Sequence, residues 1–293
     1  MLLTADNWTD YICLDAGNGE KLERWNGITL RRPDPQAIWP ADTASSLWKQ
    51  ADAIYHRSSK GGGEWEYRHS LPESWNVSYR NLTFKVSPTG FKHTGLFPEQ
   101  AVNWDWMGQQ ISSHQEENLR ILNLFAYTGG ATMACAEAGA AEVVHVDASK
   151  GMVSWAKENR DLSHLQDHTI RFIVDDCVKF AEREKRRGRT YHGIVMDPPS
   201  YGRGPNGELW KFEKELTRLI QACLDIFDRN GLFFLINSYT TGFSSIVLED
   251  LMKTTLGERI THGTITSGEV AIPVQQRDLL LPCGIYGRWQ RND

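Results

Sequence analysis

The sequence predicts an α/β protein in which a doubly wound, mostly parallel seven-stranded sheet follows a small β-rich domain. Two patterns predict it. From residue 119 onward, short apolar runs alternate with helical segments, the spacing of βαβ units whose parallel sheet is covered on both faces. The first 106 residues instead hold short strand-like pieces broken by Pro, Gly and Asn, and eight of the eleven tryptophans (8, 25, 39, 48, 65, 75, 104, 106) fall there. A length of 293 residues suits about two domains. They are divided here as 1–100, expected to serve substrate recognition, and 101–293.

In the first part, 10–15, 76–80 and 82–86 read as strands, with Arg32-Pro-Asp-Pro35 and Gly61-Gly62-Gly63 as breaks. A small β domain uses large aromatics to build its core, whereas a base-stacking surface needs them exposed beside basic residues. The core reading is favoured. In the second part the strands are 119–125, 142–147, 170–174, 193–196, 232–237, 261–269 and 278–289. Helices are expected over 132–140, 151–161, 178–187, 209–228 and 244–256. Right-handed crossovers then set a ligand site at the carboxyl ends of the strands.

Composition narrows the partners. Thirty-two Lys and Arg against 37 Asp and Glu give a net charge of −5, which excludes a strongly basic nucleic-acid binder but leaves room for local basic patches. No run approaches the roughly 18 apolar residues of a membrane span. Residues 1–7 carry neither a basic region nor an apolar run, so no secretory leader is expected. Five cysteines, 13, 135, 177, 223 and 283, never spaced CxxC, read as free thiols of a cytoplasmic protein. The nine histidines form no ligand set, so no metal is expected. The basic run 183–189 follows a helix, where cations complement the dipole; contact with phosphates is the alternative.

The first strand of the sheet ends in Asn123-Leu-Phe-Ala-Tyr-Thr-Gly-Gly130. Gly129 and Gly130 allow close backbone approach, and the next helix offers free N–H groups. Phe125, Ala126 and Tyr127 occupy the turn where a dinucleotide site needs GxGxxG, which disfavours NAD and FAD, and no GxxxxGK[ST] occurs. The second strand ends in Asp147, where a carboxylate can accept from two ribose hydroxyls. The third ends in Asp175-Asp176-Cys177, where an acid can accept from an adenine amino group and the next backbone N–H can donate to the ring. Helix capping by the same acids is the plainer alternative. Taken in order, and without a diphosphate signature, these elements select S-adenosylmethionine.

The fourth strand ends in Asp197-Pro198-Pro199-Ser200-Tyr201. The prolines remove two N–H donors, so neighbouring carbonyls are expected to face outward without internal partners. A carboxylate beside such a carbonyl can hold an NH₂ group, and Tyr201 can stack on its ring. Arg203 and Trp210 bracket a Gly-rich loop expected to cover the acceptor.

Together with Val146-Asp147-Ala148-Ser149, these segments resemble the motifs of class I S-adenosylmethionine-dependent methyltransferases, whose fold is Rossmann-like. More narrowly they resemble the bacterial ribosomal RNA large-subunit methyltransferases that modify cytosine C5 or guanine N7. Gly90-Phe-Lys-His-Thr-Gly-Leu-Phe-Pro-Glu-Gln100 is similar to that family's KTG…DQR segment. The resemblance spans roughly residues 90–240. Residues 1–89 lack likeness to the RNA-binding PUA domain of many relatives and resemble a bacterial branch without it, where Gly202-Arg-Gly-Pro-Asn-Gly-Glu-Leu-Trp210 has its counterpart. The resemblance implies that Phe125, Ala126, Thr128 and Gly129 line the methionine moiety, Asp147 the ribose, and Asp176 and Cys177 the adenine, with Ala148 and Asp197 also binding the cofactor. Phe97 and Gln100 would close over the amino-acid end. Asp197, Pro198 and Tyr201 would position the methyl acceptor, with Lys92, His93, Ser200, Arg203 and Trp210 on the substrate.

The pattern breaks at one point. Cytosine-C5 members use a cysteine nucleophile in a Ser-Cys-Ser context after the fifth strand; this chain has Asn237-Ser238-Tyr239 there and Ser200 after the prolines. Cys283 could replace it only if the last hairpin folds inward. A serine without a base partner is a poor nucleophile, so transfer to nitrogen, or another non-covalent transfer to ribosomal RNA, is expected. The rival readings are a protein-amide or small-molecule methyltransferase and a non-catalytic cofactor-binding RNA or assembly factor; a nicotinamide oxidoreductase is a distant fourth. The sequence does not set the oligomeric state.

Overall fold

The computed structural model describes residues 1–42, 45–58, 62–90, 92–114, 118–205, 207–257, 260 and 262–292. Gly61, Phe91, Asn206 and Thr261, each inside a segment read above, lie outside them. The chain forms two compact units, an N-terminal one of Thr4–Ala101 with Val270–Cys283, and a C-terminal one of Met1–Leu3, Val102–Glu269 and Gly284–Asp293. The division at 100/101 is continuous in sequence, whereas these units share the chain's last two strands.

In chain order the first elements are β1 (Leu2–Thr4), β2 (Tyr11–Gly17), β3 (Glu20–Trp25), β4 (Ile28–Pro33), β5 (Ala53–Arg57), β6 (Gly63–Tyr67), β7 (Trp75–Tyr79) and β8 (Leu82–Val86). In the N-terminal unit β2 to β6 are neighbours in sequence order, antiparallel except for β4 and β5, and β7 and β8 form a separate hairpin. The tryptophans here build the interior. None of the six in this unit is exposed, and Trp8, Trp39, Trp65 and Trp75 donate their indole N–H to backbone carbonyls while Trp48 donates to buried Asp15. An indole buried this way keeps its polar atom satisfied.

The C-terminal unit follows with α1 (Ala101–Ser112), β9 (Arg120–Leu124), α2 (Gly130–Glu137), β10 (Glu142–Asp147), α3 (Lys150–Leu162), β11 (Ile170–Val174), α4 (Cys177–Arg186) and β12 (Gly193–Met196). Then come β13 (Tyr201–Arg203), β14 (Leu209–Lys211), α5 (Phe212–Leu224), β15 (Phe233–Ser238), α6 (Ser245–Leu256), β16 (Gly263–Val274) and β17 (Leu279–Arg291). Its sheet runs β11-β10-β9-β12-β15-β17-β16. The first five strands are parallel, and β17 pairs antiparallel with β15.

Strand alternation assigns the two faces. Val144 and Val146 of β10 join the core cluster that holds Phe180 of α4, Leu219 of α5 and Leu248 of α6. The intervening His145 turns the other way and meets Thr132 of α2. The sheet is therefore covered on both sides, as the alternation of strands and helices predicts.

One expected element is corrected. Residues 209–211 are not the start of a long helix but the second strand of a hairpin, with Tyr201 opposite Lys211, Gly202 opposite Trp210, and Arg203 opposite Leu209. Trp210 is buried on the sheet side of this ribbon, and the helix begins only at Phe212.

Candidate active site

Strand register assembles the site. Leu124 pairs with Val146 and with Met196, and Asp147 with Val174. Phe125, Asp147, Asp175 and Asp197 therefore leave the sheet at one carboxyl edge, where a doubly wound sheet binds its ligand.

The first turn is held in an unusual backbone. Phe125 and Tyr127 have φ of 52° and 51°, and Gly129 has φ of 89°. Left-handed conformations at two aromatic residues persist only when their surroundings fix them. Four contacts do so. Ala126 N–H donates to Val146 O at 3.0 Å and Gly129 N–H to Ala126 O at 2.9 Å. Tyr127 N–H donates to Asp147 Oδ2 at 2.9 Å, and Asn159 of α3 donates its amide to Thr128 O at 2.8 Å. Beneath the turn, Asn123 Nδ2 donates to Thr132 Oγ1 at 2.9 Å, and Thr132 Oγ1 lies 3.0 Å from His145 Nδ1. Burial pushes the His145 pKa down to about 3, so the ring is neutral. Gly130 sits against Trp104, where a Cβ would lie 2.4 Å from the indole. The sequence marks Trp104 only as a core aromatic and does not single out Asn159 or His145; the one available signal is that His145 shares the strand face of Asp147.

The acids combine both readings. Asp147 accepts from Tyr127 N–H and, at 2.8 Å, from Ser149 N–H. Burial holds its carboxyl above the usual range, and those two donors pull the other way. Asp176 caps α4 by accepting from Lys179 N–H at 2.9 Å. A carboxylate has about four acceptor sites, so both keep capacity for a further donor. Asp175 is engaged by Asp176 N–H and by Arg183.

On the acceptor side, one expectation is overturned. The Pro199 carbonyl is not free: it accepts from the Trp210 indole at 2.6 Å, and Ser200 O accepts from Phe212 N–H at 3.1 Å. Trp210 is buried and stands 4.8 Å from the Phe125 ring, so it braces this turn instead of covering it. Ser200 Oγ meets Thr240 Oγ1 at 2.9 Å, and Tyr201 and Arg203 are exposed. Asn237 accepts from Asn103 of α1, whose own oxygen accepts from Arg288 of β17. Burial brings the Arg288 pKa down to about 10. Of the cysteines in this unit, Cys135, Cys177 and Cys223 are buried in helices and pushed up by desolvation.

Segment 92–100 belongs to the N-terminal unit and is not a member of the register-aligned set. Within that unit the His93 ring is 5.3 Å from the Phe97 ring, and burial brings its pKa down to about 4. Lys92 O accepts from Arg32, and Gln100 N–H closes a single turn onto Phe97 O. Cys283 also lies in that unit, its thiol donating to Leu281 O. Four of the five cations in the basic run make ion pairs: Arg183 with Asp175, Lys185 with Asp225, Arg187 with Glu184, and Arg189 with Glu142.

A family model described as S-adenosylmethionine-dependent methyltransferase matches residues 23–254. The chain belongs to this family. A crystal structure of the S-adenosylmethionine-dependent methyltransferase from Agrobacterium tumefaciens is 36% identical and superposes with a TM-score of 0.94 over 100% of this chain and 94% of that one. The methyltransferase SMU.776, complexed with S-adenosylhomocysteine, shares the fold at 17% identity and a TM-score of 0.73, over 97% of this chain and 76% of its own. Among curated relatives, ribosomal RNA large subunit methyltransferase K of Neisseria meningitidis is 24% identical over 245 residues, 81% of this chain and 67% of that protein. Methyltransferase K/L of Colwellia psychrerythraea is 27% identical over 180 residues, 61% of this chain. The chain spans about a quarter of that K/L protein's length.

The methyltransferase uses S-adenosylmethionine, and the donor set at the carboxyl edge suits it. Two carboxylates with spare acceptor sites match hydroxyl and amino donors, a helix N-terminus begins at Cys177, and the turn at 125–129 presents backbone in place of a diphosphate cradle. Among the described residues no helix is long and apolar enough to cross a membrane, and no three His, Cys, Asp or Glu converge as metal ligands.

Proposed function

We propose that this methyltransferase modifies a nitrogen of a nucleobase in ribosomal RNA, without a covalent enzyme–base intermediate. The observation that carries the choice of chemistry is the thiol inventory. The three cysteines of the C-terminal unit are buried and neutral, and Ser200 meets a threonine hydroxyl instead of a base. Conjugate addition to a pyrimidine needs a thiolate, whereas an amino nitrogen needs alignment and a proton acceptor. The names of the curated relatives support RNA as the substrate class.

In this reading Phe125, Ala126, Thr128 and Gly129 line the methionine end of the cofactor. Asp147 meets the ribose, Asp176 and Cys177 the adenine, Phe97 and Gln100 are assigned to the amino-acid end, and Ala148 and Asp197 also bind the cofactor. When bound, S-adenosylmethionine supplies an electrophilic methyl group. Asp197 and the Pro198 carbonyl hold the acceptor NH₂, Tyr201 stacks on its ring, and the Asp197 carboxylate takes the proton. Lys92, His93, Ser200 and Arg203 contact the substrate, and Trp210 supports them from below. Residues 1–100 serve substrate recognition. The five free cysteines support a cytoplasmic setting.

The test is transfer of labelled methyl to total RNA of a deletion strain, with wild-type RNA as control. Ribonuclease-sensitive label in the deletion RNA alone, recovered as an N-methylated base, is expected. Label that survives ribonuclease but not protease would point instead to a protein amide, a reading that the net charge of −5 favours. A trapped adduct with 5-fluorocytosine RNA would refute the non-covalent route.

A further inference from the structure

We propose that the outward face of the β13–β14 hairpin is a docking platform for single-stranded RNA, beside the acceptor turn from which it springs; this rests on the RNA reading above. The register decides the geometry. In an antiparallel pair, directly opposed residues share a face and alternate residues share it again. Tyr201 opposite Lys211 and Arg203 opposite Leu209 therefore lie together on one side, and Gly202 opposite Trp210 on the other.

Burial agrees with that division. Tyr201 is 55% and Leu209 50% exposed, and Arg203 and Lys211 are exposed as well, while Trp210 is 6% exposed. The inner face is pinned by the Trp210 indole on the Pro199 carbonyl and by its ring against Phe125. The outer face is left with an aromatic ring, an aliphatic side chain and two cations in a small checkerboard.

Its charges are uncommitted. Elsewhere in this unit the cations are largely engaged, including Lys179 with Glu208, the hairpin's one acid. Among the described residues, Arg203 and Lys211 have neither an ion pair nor a side-chain hydrogen bond. In a chain of net charge −5, two unpaired cations flanking an exposed tyrosine fit a polyanion whose bases stack. Single-stranded nucleic acid is bound by that combination: cations along the backbone and aromatic rings under the bases. The hairpin begins two residues after Pro199, so a strand lying on it is led towards Asp197 and Pro198.

The experiment is fluorescence anisotropy of a labelled, mixed-sequence single-stranded RNA oligonucleotide over a series of salt concentrations. It uses the full chain, the double variant R203A/K211A, and the variants Y201A and Y201F. S-adenosylhomocysteine affinity of the double variant serves as the control for an intact C-terminal unit. The double variant is expected to weaken RNA binding at least tenfold and to lower the slope of log K against log salt by about 1.4, the value for two lost phosphate contacts on a single strand. Y201A weakens binding roughly tenfold, and Y201F restores most of it, because the stacking face is kept. If wild type binds RNA and the double variant binds it equally well with the same slope, the strand docks elsewhere and the platform falls while the RNA reading stands. If wild type has no measurable affinity for the oligonucleotide and R203A/K211A abolishes label transfer to a protein acceptor, both fall and the face is a peptide site.

Discussion

His145 offers a quantitative test of how the turn at 125–129 is held. Its ring is fully buried under the turn, Nδ1 meets Thr132, and among the described residues Nε2 has no hydrogen-bond partner. Burial brings its pKa to about 3, against roughly 6.5 in an unfolded chain. Between those values the unfolded state binds the extra proton, so stability rises with pH there and is lost as pH falls below about 6.5. Integrated from pH 7 down to pH 5, the loss from this one group is about 2 kcal/mol. The perturbation is His145→Gln, which cannot titrate and retains an amide for Thr132. The assay is urea unfolding followed by far-UV circular dichroism across that pH range. Wild type is expected to lose about 2 kcal/mol more than the variant between pH 7 and pH 5. Comparing the two chains cancels the like-signed contribution of His93 in the other unit, whose pKa is also lowered. Parallel stability curves for the two proteins would mean that His145 titrates near its ordinary value, and the account of a dry, neutral support beneath the turn would be wrong.

Four further outcomes are expected. Gly130→Ala places a methyl 2.4 Å from the buried Trp104 indole, and the urea midpoint should fall by the equivalent of about 1–3 kcal/mol. Asp147→Asn removes the charge that both Tyr127 and Ser149 N–H bond to, so calorimetry should show S-adenosylhomocysteine binding weaker by roughly tenfold or more. In wild type that affinity should fall as the solution is acidified, and sooner than for an ordinary aspartate, because in the proposed reading the ionised form binds the ribose, and burial raises its pKa. Trp210→Phe keeps a ring beside Phe125 but loses the bond to Pro199 O. Methyl transfer to deletion-strain RNA should slow by roughly tenfold through misalignment, with S-adenosylhomocysteine affinity little changed.

The sheet was legible because its signals are local. Strand-length apolar runs at 142–147 and 193–196, each closed by an aspartate, give both the parallel order and the edge where ligands bind. The hairpin at 201–211 was not legible. Its residues Leu209-Trp210-Lys211 continue smoothly into an apolar helical pattern, and only the bond from Trp210 to Pro199 and the pairing with β13 make them a strand.

The same contrast holds at the site. The sequence by itself determined which turns lie at the carboxyl edge, since Asp147 ends its strand and Asp175 and Asp197 directly follow theirs. It also excluded a diphosphate cradle and a cysteine in the expected place. Tertiary structure alone decided what those residues do besides. Asp147 props the turn at Tyr127, Asp176 caps a helix, Pro199 is bonded to an indole 11 residues away, and Asn159 and His145 hold the turn from α3 and β10. Such contacts depend on which faces the folded chain brings together. Neither composition nor spacing encodes that, because a side chain's partner across a sheet is fixed by register and packing, not by its neighbours along the chain.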